Sequence, residues 1–324
     1  MIIARAPYRV PLAGGGTDID FYYKKKGGLL ISAALNKYIY TLLSTRDLDN
    51  KILVQTTTTE FENNLKKIKH SIIREVFKYF KIKKSFQIST FSTLPTQSGL
   101  GSSSSLIVCL IKNICNLKKI KLDKKKIVNI AYKIERIILK KDGGWQDQIM
   151  ATYGGIVKIN INKNGKFKIN RIKLKKKIKE KVEKNLILIF TNEVRDSSKI
   201  ISSQRKNKKN KNLIKIYDIL KKKVKVIEEA LKKADLKIIG ETFNDHWNLK
   251  RQLSEKITNS QLDNTYINLM KSNFFYGGKI IGAGGGGFFL MVLKKRRDAI
   301  KFLKKKKYNF INLKFDHLGV TTIN

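Results

Sequence analysis

The stretch PTQSGLGSSSS at residues 95–105 sets Gly99, Leu100 and Gly101 ahead of four consecutive serines, Ser102, Ser103, Ser104 and Ser105, which run straight into the apolar segment LIVCLIKNIC. That order predicts a tight turn, opened by Pro95, that enters a helix at its amino end. The first N–H groups of a helix lack intrahelical partners and carry the positive end of the peptide dipoles, and glycine puts no side chain between them and an anion. A phosphate cradle is the chemistry such a turn can do. The serine hydroxyls can add donors to phosphate oxygens or offer an oxygen to a phosphate-bound cation. An ordinary capped turn would need one serine and perhaps one glycine.

Two more glycine-rich stretches and two carboxylates surround it in sequence. In AGGGTDID, Gly14, Gly15 and Gly16 permit close backbone approach, and Thr17 and Asp18 follow at once, so Asp18 can accept two hydroxyl protons of a polyol. Glu135 lies in an apolar helical pattern, where it is either a solvated side-face residue or a ligand-facing one. Asp147 comes in GGWQDQIMATYGG, after Gly143 and Gly144 stop that helix and Trp145 anchors the turn. These two carboxylates can share a site with the serine turn, one for Mg²⁺ and one for a hydroxyl. Late in the chain IGAGGGG places Gly284, Gly285, Gly286 and Gly287 ahead of the strand FFLMVL, as expected where a loop presses against a ligand or another loop.

The elements that must position these residues are legible as patterns. Residues 2–12 alternate poorly but are rich in β formers, and LLISAALNKYIYTLLST, KILVQTTTTE and SFQISTFSTLP read as strands. Leu65, Ile68, Ile72, Val76 and Phe80 recur at helical spacing and predict one helix over 64–79. Residues 106–117, apolar on nearly all sides, predict a helix buried in the middle of the first domain. A second helix is expected over 123–139, with Ile127, Ile130, Ile134 and Ile138 as its core stripe, and a hairpin over 155–174. A second domain is expected to begin near Val182 with the strand NLILIFTNE, followed by Arg195, Asp196 and Ser197. SSQRKNKKNKN, 202–212, is expected as a mobile basic loop or a helix start. A helical layer with Trp247 as packing anchor and a closing lysine-rich helix and strand complete it.

With 324 residues, 42% of them hydrophobic, the chain can bury one large core or two moderate ones, and a length of roughly 150 residues per domain favours two. The start MIIARAPYRV has no leucine-rich signal core, and lysines interrupt every apolar run before the ~20 residues a bilayer requires, so a soluble cytoplasmic protein is expected. Cys109 and Cys115 read as buried small hydrophobes, and His70, His246 and His317 are too scattered for a zinc site. The net charge of +44 comes from lysine spread over nearly every polar position, a pattern of general surface drift rather than of nucleic-acid recognition. Walker-type GxxxxGK[ST] and the HRD and DFG signatures are absent from the sequence.

APYRVPLAGGGTD, PTQSGLGSSSS and IGAGGGG, in that order, resemble the three signature motifs of the galactokinase, homoserine kinase, mevalonate kinase and phosphomevalonate kinase (GHMP) superfamily, over essentially the whole chain. The GGGTD form, GGWQDQ, DHWNLKR and GGKIIGAGGGG are most similar to D-glycero-α-D-manno-heptose 7-phosphate kinases. Asn192 and Glu193 depart from the Thr-Gly pair that relatives often carry there. The resemblance implies an α/β (α+β) two-domain fold, ribosomal-protein-S5-like over 1–181 and ferredoxin-like over 182–324, with the site between. It implies ATP and Mg²⁺ as cofactors and transfer to the anomeric C1 hydroxyl of the heptose 7-phosphate, giving the 1,7-bisphosphate for GDP-heptose and surface glycans. Alternatives are a kinase for a free sugar such as fucose, or a catalytically silent binding relative. Carried over by residue, the resemblance gives Pro95 and 99–105 to the ATP phosphates, and Ser103 or Ser104 with Glu135 to Mg²⁺. It makes Asp147 catalytic with Arg9 beside it, and gives Asp18, Gly15, Gly16, Thr17, Gly285 and Gly286 to the substrate. Arg5, Lys24, Lys25, Lys26, Arg195 and Lys250 are candidates for a distal phosphate. No nucleic-acid or membrane partner is implied, and the oligomeric state stays open between monomer and homodimer.

Overall fold

A computed structural model describes residues 1–95, 98–193, 197–206 and 210–323. The chain opens with two long antiparallel strands, β1 (Ile2–Ala13) and β2 (Gly28–Thr45), linked through the short helix α1 (Asp20–Lys26). Both strands are built of branched, aromatic and small residues that fit a sheet buried on two faces. Their register shifts between Pro7 and Arg9 and again between Pro11 and Ala13, where proline offers no ladder donor. At the first shift the Arg9 N–H leaves the ladder and donates to Leu100 O at 3.0 Å, tying β1 to the serine turn.

Next come β3 (Ile52–Gln55), β4 (Thr59–Glu62), α2 (Ser71–Tyr79) and β5 (Phe86–Ser92), then α3 (Ser102–Leu117), α4 (Lys124–Tyr132), α5 (Gln146–Tyr153) and the hairpin β6 (Ile156–Ile161) and β7 (Phe167–Arg171). β2 serves two partners in succession: Gly28–Ala33 pairs with β6, and Ile39–Thr45 pairs with β5. The helices cover one face of this sheet with α3 at their centre, packed on β1, β2, α2, α4 and α5.

Two helices differ from expectation. The helix over 64–79 is interrupted: a single 3-10 turn, Leu65–Lys67, is followed by a break, and α2 starts only at Ser71. The Glu60 carboxylate takes the N–H groups of Lys69 and His70, and His70 Nδ1 accepts from Ile73 N–H, capping α2. The helix over 123–139 widens after Tyr132 into a π turn, Lys133–Ile138, that contains Glu135. Such a turn re-aims the side chains it carries.

The second half runs α6 (Lys176–Asn185), β8 (Leu186–Phe190), α7 (Ser197–Lys206), α8 (Lys211–Lys233), α9 (Leu236–Arg251), α10 (Ser260–Lys271), β9 (Phe275–Ile280), β10 (Phe288–Leu293), α11 (Arg296–Lys305) and β11 (Phe310–Asn312). Among the described residues its four strands lie in the order β11-β8-β10-β9, all antiparallel, which is the βαββαβ arrangement of ferredoxin-like layers. Arg195 and Asp196, and 207–209 of the expected basic loop, lie outside the described residues.

The end of the chain does not stay with that layer. β12 (Thr321–Ile323) pairs antiparallel with β1, so the 182–324 span divides and its last residues join the first sheet. Asp316 fixes the crossing by accepting from Tyr38 Oη at 3.0 Å and from Gly319 N–H at 2.7 Å.

Candidate active site

α3 begins at Ser102, with Gly101 as its N-cap at φ 83°, a left-handed conformation that favours glycine. A methyl group there would lie 3.4 Å from both Arg9 Cγ and Asp147 Cγ, so the start of α3 abuts those two side chains directly. Arg9 Nε donates to Asp147 Oδ1 at 2.7 Å, and Arg9 Nη1 donates to the Gly99 carbonyl. The guanidinium is thereby fixed between the turn and the carboxylate. Among the described residues Asp147 Oδ2 accepts no hydrogen bond, and Asp147 faces a cavity of about 380 Å³ between the two layers.

The four serines divide in role. Ser102 and Ser103 wall the cavity, and Lys141 Nζ donates to Ser103 Oγ at 3.1 Å. Ser104 is buried and donates to Glu135 Oε2 at 2.5 Å, where Gln148 Nε2 also donates at 2.6 Å. Ser105 points inward and donates to Pro7 O at 2.8 Å, and Leu100 is buried beneath the turn. Pro95 is exposed and does not reach the cavity.

On the far side of Asp147 lies a polar niche. Asp18 is buried, accepts the Gln146 N–H at 3.0 Å, and packs so closely on Gly144 that any side chain there would collide with it. Burial, and then the nearby Asp147 charge, pushes the Asp18 carboxyl above the usual range. Gln146 is aimed by its own bond to Ser32 Oγ at 2.8 Å, and Trp145 stacks on Tyr132 with ring centroids 3.6 Å apart, as befits the anchor of this turn. Gly15 and Gly16 wall the same niche, and a methyl group at Gly16 would lie 2.5 Å from the Tyr217 ring. Thr17 faces away: its Oγ1 lies 2.7 Å from Gly14 O and 2.9 Å from Leu29 O and holds the turn.

Gly285 and Gly286, expected at the substrate, are absent from the cavity wall. Gly285 N–H donates to Ile257 O at 2.7 Å, and Gly286 packs against Glu193. What the loop supports is the turn that enters α3: Gly282 packs on Gly99, and Gly287 on Ser98, too closely for side chains. Lys24 and Arg5 lie elsewhere, Lys24 beside Asp20 and Arg5 over the Tyr38 ring, whereas Lys250 lines the cavity. Sequence reasoning passed over Gln204, Tyr217, His246 and Lys279, which also line it. Lys279 alone left a signal, as a charge inside an apolar strand.

For a divalent cation the donor chemistry fits. Ser104 Oγ and Glu135 Oε2 form an adjacent hydroxyl–carboxylate pair beside the helix start, and Gln148 Oε1 is buried there with no hydrogen-bond partner among the described residues. No cluster of three or more His, Cys, Asp or Glu able to hold a metal occurs among the described residues. Mg²⁺ suits so sparse a set, because it takes one or two protein ligands and completes its shell with phosphate oxygens and water.

A helix start entered through glycine, an arginine-held carboxylate and the buried Asp18 meet at one cavity between two α/β layers, an arrangement suited to a small-molecule phosphotransferase. Comparison with known proteins gives its family. The GHMP kinases N terminal domain matches residues 64–155 and the GHMP kinases C terminal domain matches 227–311. The chain is 32% identical over 293 residues to D-glycero-alpha-D-manno-heptose 7-phosphate kinase of Campylobacter jejuni, covering 87% of this chain and 86% of that one. A putative sugar kinase structure from Campylobacter jejuni aligns at TM-score 0.76 and 30% identity over 99% of this chain and 98% of its own. A D-glycero-D-manno-heptose 1-phosphate kinase structure from Bacteroides thetaiotaomicron shares the fold at TM-score 0.83, with 22% identity over 100% and 99% of the two chains. The protein belongs to the GHMP kinases and is an ATP-dependent kinase related to bacterial heptose-phosphate and sugar kinases.

Proposed function

We propose that this kinase transfers the γ-phosphoryl group of ATP to the anomeric C1 hydroxyl of D-glycero-α-D-manno-heptose 7-phosphate, in the cytoplasm, as a step toward nucleotide-activated heptose for surface glycans. The observation that carries the reading is the junction at Gly101, where the α3 start, Arg9 and Asp147 meet beside the Asp18 niche. The choice of sugar is supported by the 32% identity to the Campylobacter enzyme.

Phosphoryl transfer needs charge neutralisation on the moving group and in-line placement of the acceptor. The N–H groups of Ser102 and Ser103, Lys141 and the Arg9 guanidinium supply positive potential on the nucleotide side. Asp18 and the Gln146 turn orient the sugar, and Asp147 Oδ2 takes the proton of the attacking hydroxyl or holds it in line. Ser104 and Glu135 would hold Mg²⁺, which when bound neutralises charge on the phosphate oxygens. Phosphorus NMR of products from heptose 7-phosphates of both anomers, fucose, mannose and galactose tests the proposal. New phosphate at C1 of the heptose 7-phosphate is the expected result. Preference for a free sugar would overturn the substrate and keep the chemistry.

A further inference from the structure

Two lysines on the second layer's side of the cavity are buried with no carboxylate beside them among the described residues. α9 lies unusually close to β9, because Gly240 and Gly277 meet backbone to backbone, and this brings Lys250 of α9 and Lys279 of β9 to one wall of the cavity. Lys250 is 7% exposed and Lys279 is fully buried. Among the described residues their ammonium groups reach only backbone carbonyls and a ring: Lys250 Nζ donates to Gly282 O at 2.5 Å, and Lys279 Nζ donates to Leu12 O at 2.8 Å and lies 4.4 Å from the centre of the Phe243 ring. The charged or titratable groups that face them are Arg9 from β1, His246 one turn back on α9, and each other. Asp147, on α5, is taken up by Arg9. Burying an ammonium is strongly unfavourable unless an opposite charge meets it, so two such groups in a cavity wall are matched to an arriving anion.

The nucleotide phosphates are given their own seat at Ser102, Ser103 and Lys141, and Lys250, through Gly282, stands beside the Gly99 turn that leads into it. Lys279 is instead fastened to Leu12, just before the Gly14–Gly16 turn that leads to Asp18. We infer that Lys250 and Lys279 bind an anionic group carried by the acceptor itself, away from the hydroxyl that reacts, and so select phosphorylated over free sugars. This rests on the sugar-kinase reading above and narrows its substrate class.

The site has a proton signature. Burial, and then Arg9, lowers Lys250 to about 7, and burial and Lys250 lower Lys279 well below the usual lysine range. A bound phosphate raises both, so at pH 8 the wild-type protein takes up protons on binding the sugar phosphate, and affinity falls as pH rises above about 7.

The test compares kcat/KM for heptose 7-phosphate with that for free heptose in wild type, Lys250→Met, Lys279→Met and Lys250→Arg, with melting curves as a fold control. Each Met variant is expected to lower the phosphorylated-to-free ratio about 10- to 100-fold, with KM for ATP little changed and part of the ratio restored in Lys250→Arg. Calorimetry at pH 8 in buffers of different ionisation enthalpy should show proton uptake in wild type with the sugar phosphate and none with the free sugar. An unchanged ratio in both Met variants, a rise in KM for ATP alone, or no proton uptake overturns the inference. If wild type transfers phosphate to neither sugar yet binds the sugar phosphate with proton uptake, the kinase substrate is wrong and the anion site stands.

Discussion

Asp147 meets Arg9 through one oxygen and leaves the other toward the cavity, so its two oxygens have separable jobs. Asp147→Asn keeps an acceptor for Arg9 Nε and removes the ability to take a proton. The expected outcome is a fall in kcat of about 10²- to 10⁴-fold, with ATP affinity within a few-fold of wild type, because the phosphate turn is built by α3 and Arg9. Single-turnover phosphoryl transfer and nucleotide titration together check this, and undiminished transfer would rule out both a base and an essential orienting role. At Lys250 the linkage has the opposite sign from that of an ordinary ion pair. Its folded value of about 7 lies below the unfolded one, so the unfolded chain binds more protons and the free protein gains stability as pH rises from about 7 toward 10. Lys250→Met should flatten that rise in a series of melting curves, and an unaltered slope would show that Lys250 is not the group responsible.

Between residues and fold stand two short elements. The first is the entry to α3, where Gly101 is held at φ 83° against Arg9 and Asp147. An alanine there carries a left-handed backbone cost of about 1–2 kcal/mol and displaces both side chains. Gly101→Ala is therefore expected to lower kcat at least tenfold while the melting temperature drops by only a few degrees. A purely structural glycine would instead lose stability with kcat intact. The second is α7, whose Ile201 and Gln204 line the cavity while Arg205 reaches Asp20 of α1 at 2.8 Å and Asp142 at 2.9 Å. One side chain thus clasps α7, α1 and the Asp142 turn of the cavity wall. These pairs are partly exposed and worth up to about 1 kcal/mol each. Arg205→Ala should raise KM for the sugar about 3- to 10-fold and leave KM for ATP unchanged, and a change in the ATP term alone would argue against a clasp on the acceptor side.

Across the whole molecule the excess of lysine has little to do with the cavity. Most lysines lie on exposed faces, as on α6 and α11, while those in the cavity wall are few and specifically held. Binding to mixed DNA or RNA fragments is expected at low salt and should vanish by ~0.3 M, since exposed charge acts only by counterion release. Sequence- or structure-selective binding that survives that salt would point to a real nucleic-acid partner. No helix among the described residues is long and apolar enough to cross a membrane. The two layers are joined at the cavity by Lys279 on Leu12 and by Gly282 on Gly99, so the turn that enters α3 and the wall made by α9 and β9 are held in one frame.

The sequence by itself determined the parts whose physics is local. Glycines before a serine run predict a helix-start anion site wherever the chain takes them, and α3 begins at Ser102 as that pattern requires. The strands and the buried α3 follow from short-range periodicity in the same way, whereas the ferredoxin-like layer was legible only through the resemblance to the family's motifs. Tertiary structure alone decided what depends on contacts between distant residues. It turned Ser105 and Thr17 inward to backbone carbonyls and set Gly285 and Gly286 behind the cavity. It carried β12 back to β1. It also buried Lys250, one of several candidates named from the sequence, beside Lys279 in one cavity wall, because a lysine's burial depends on which helix and strand pack together, and no spacing along one chain encodes that.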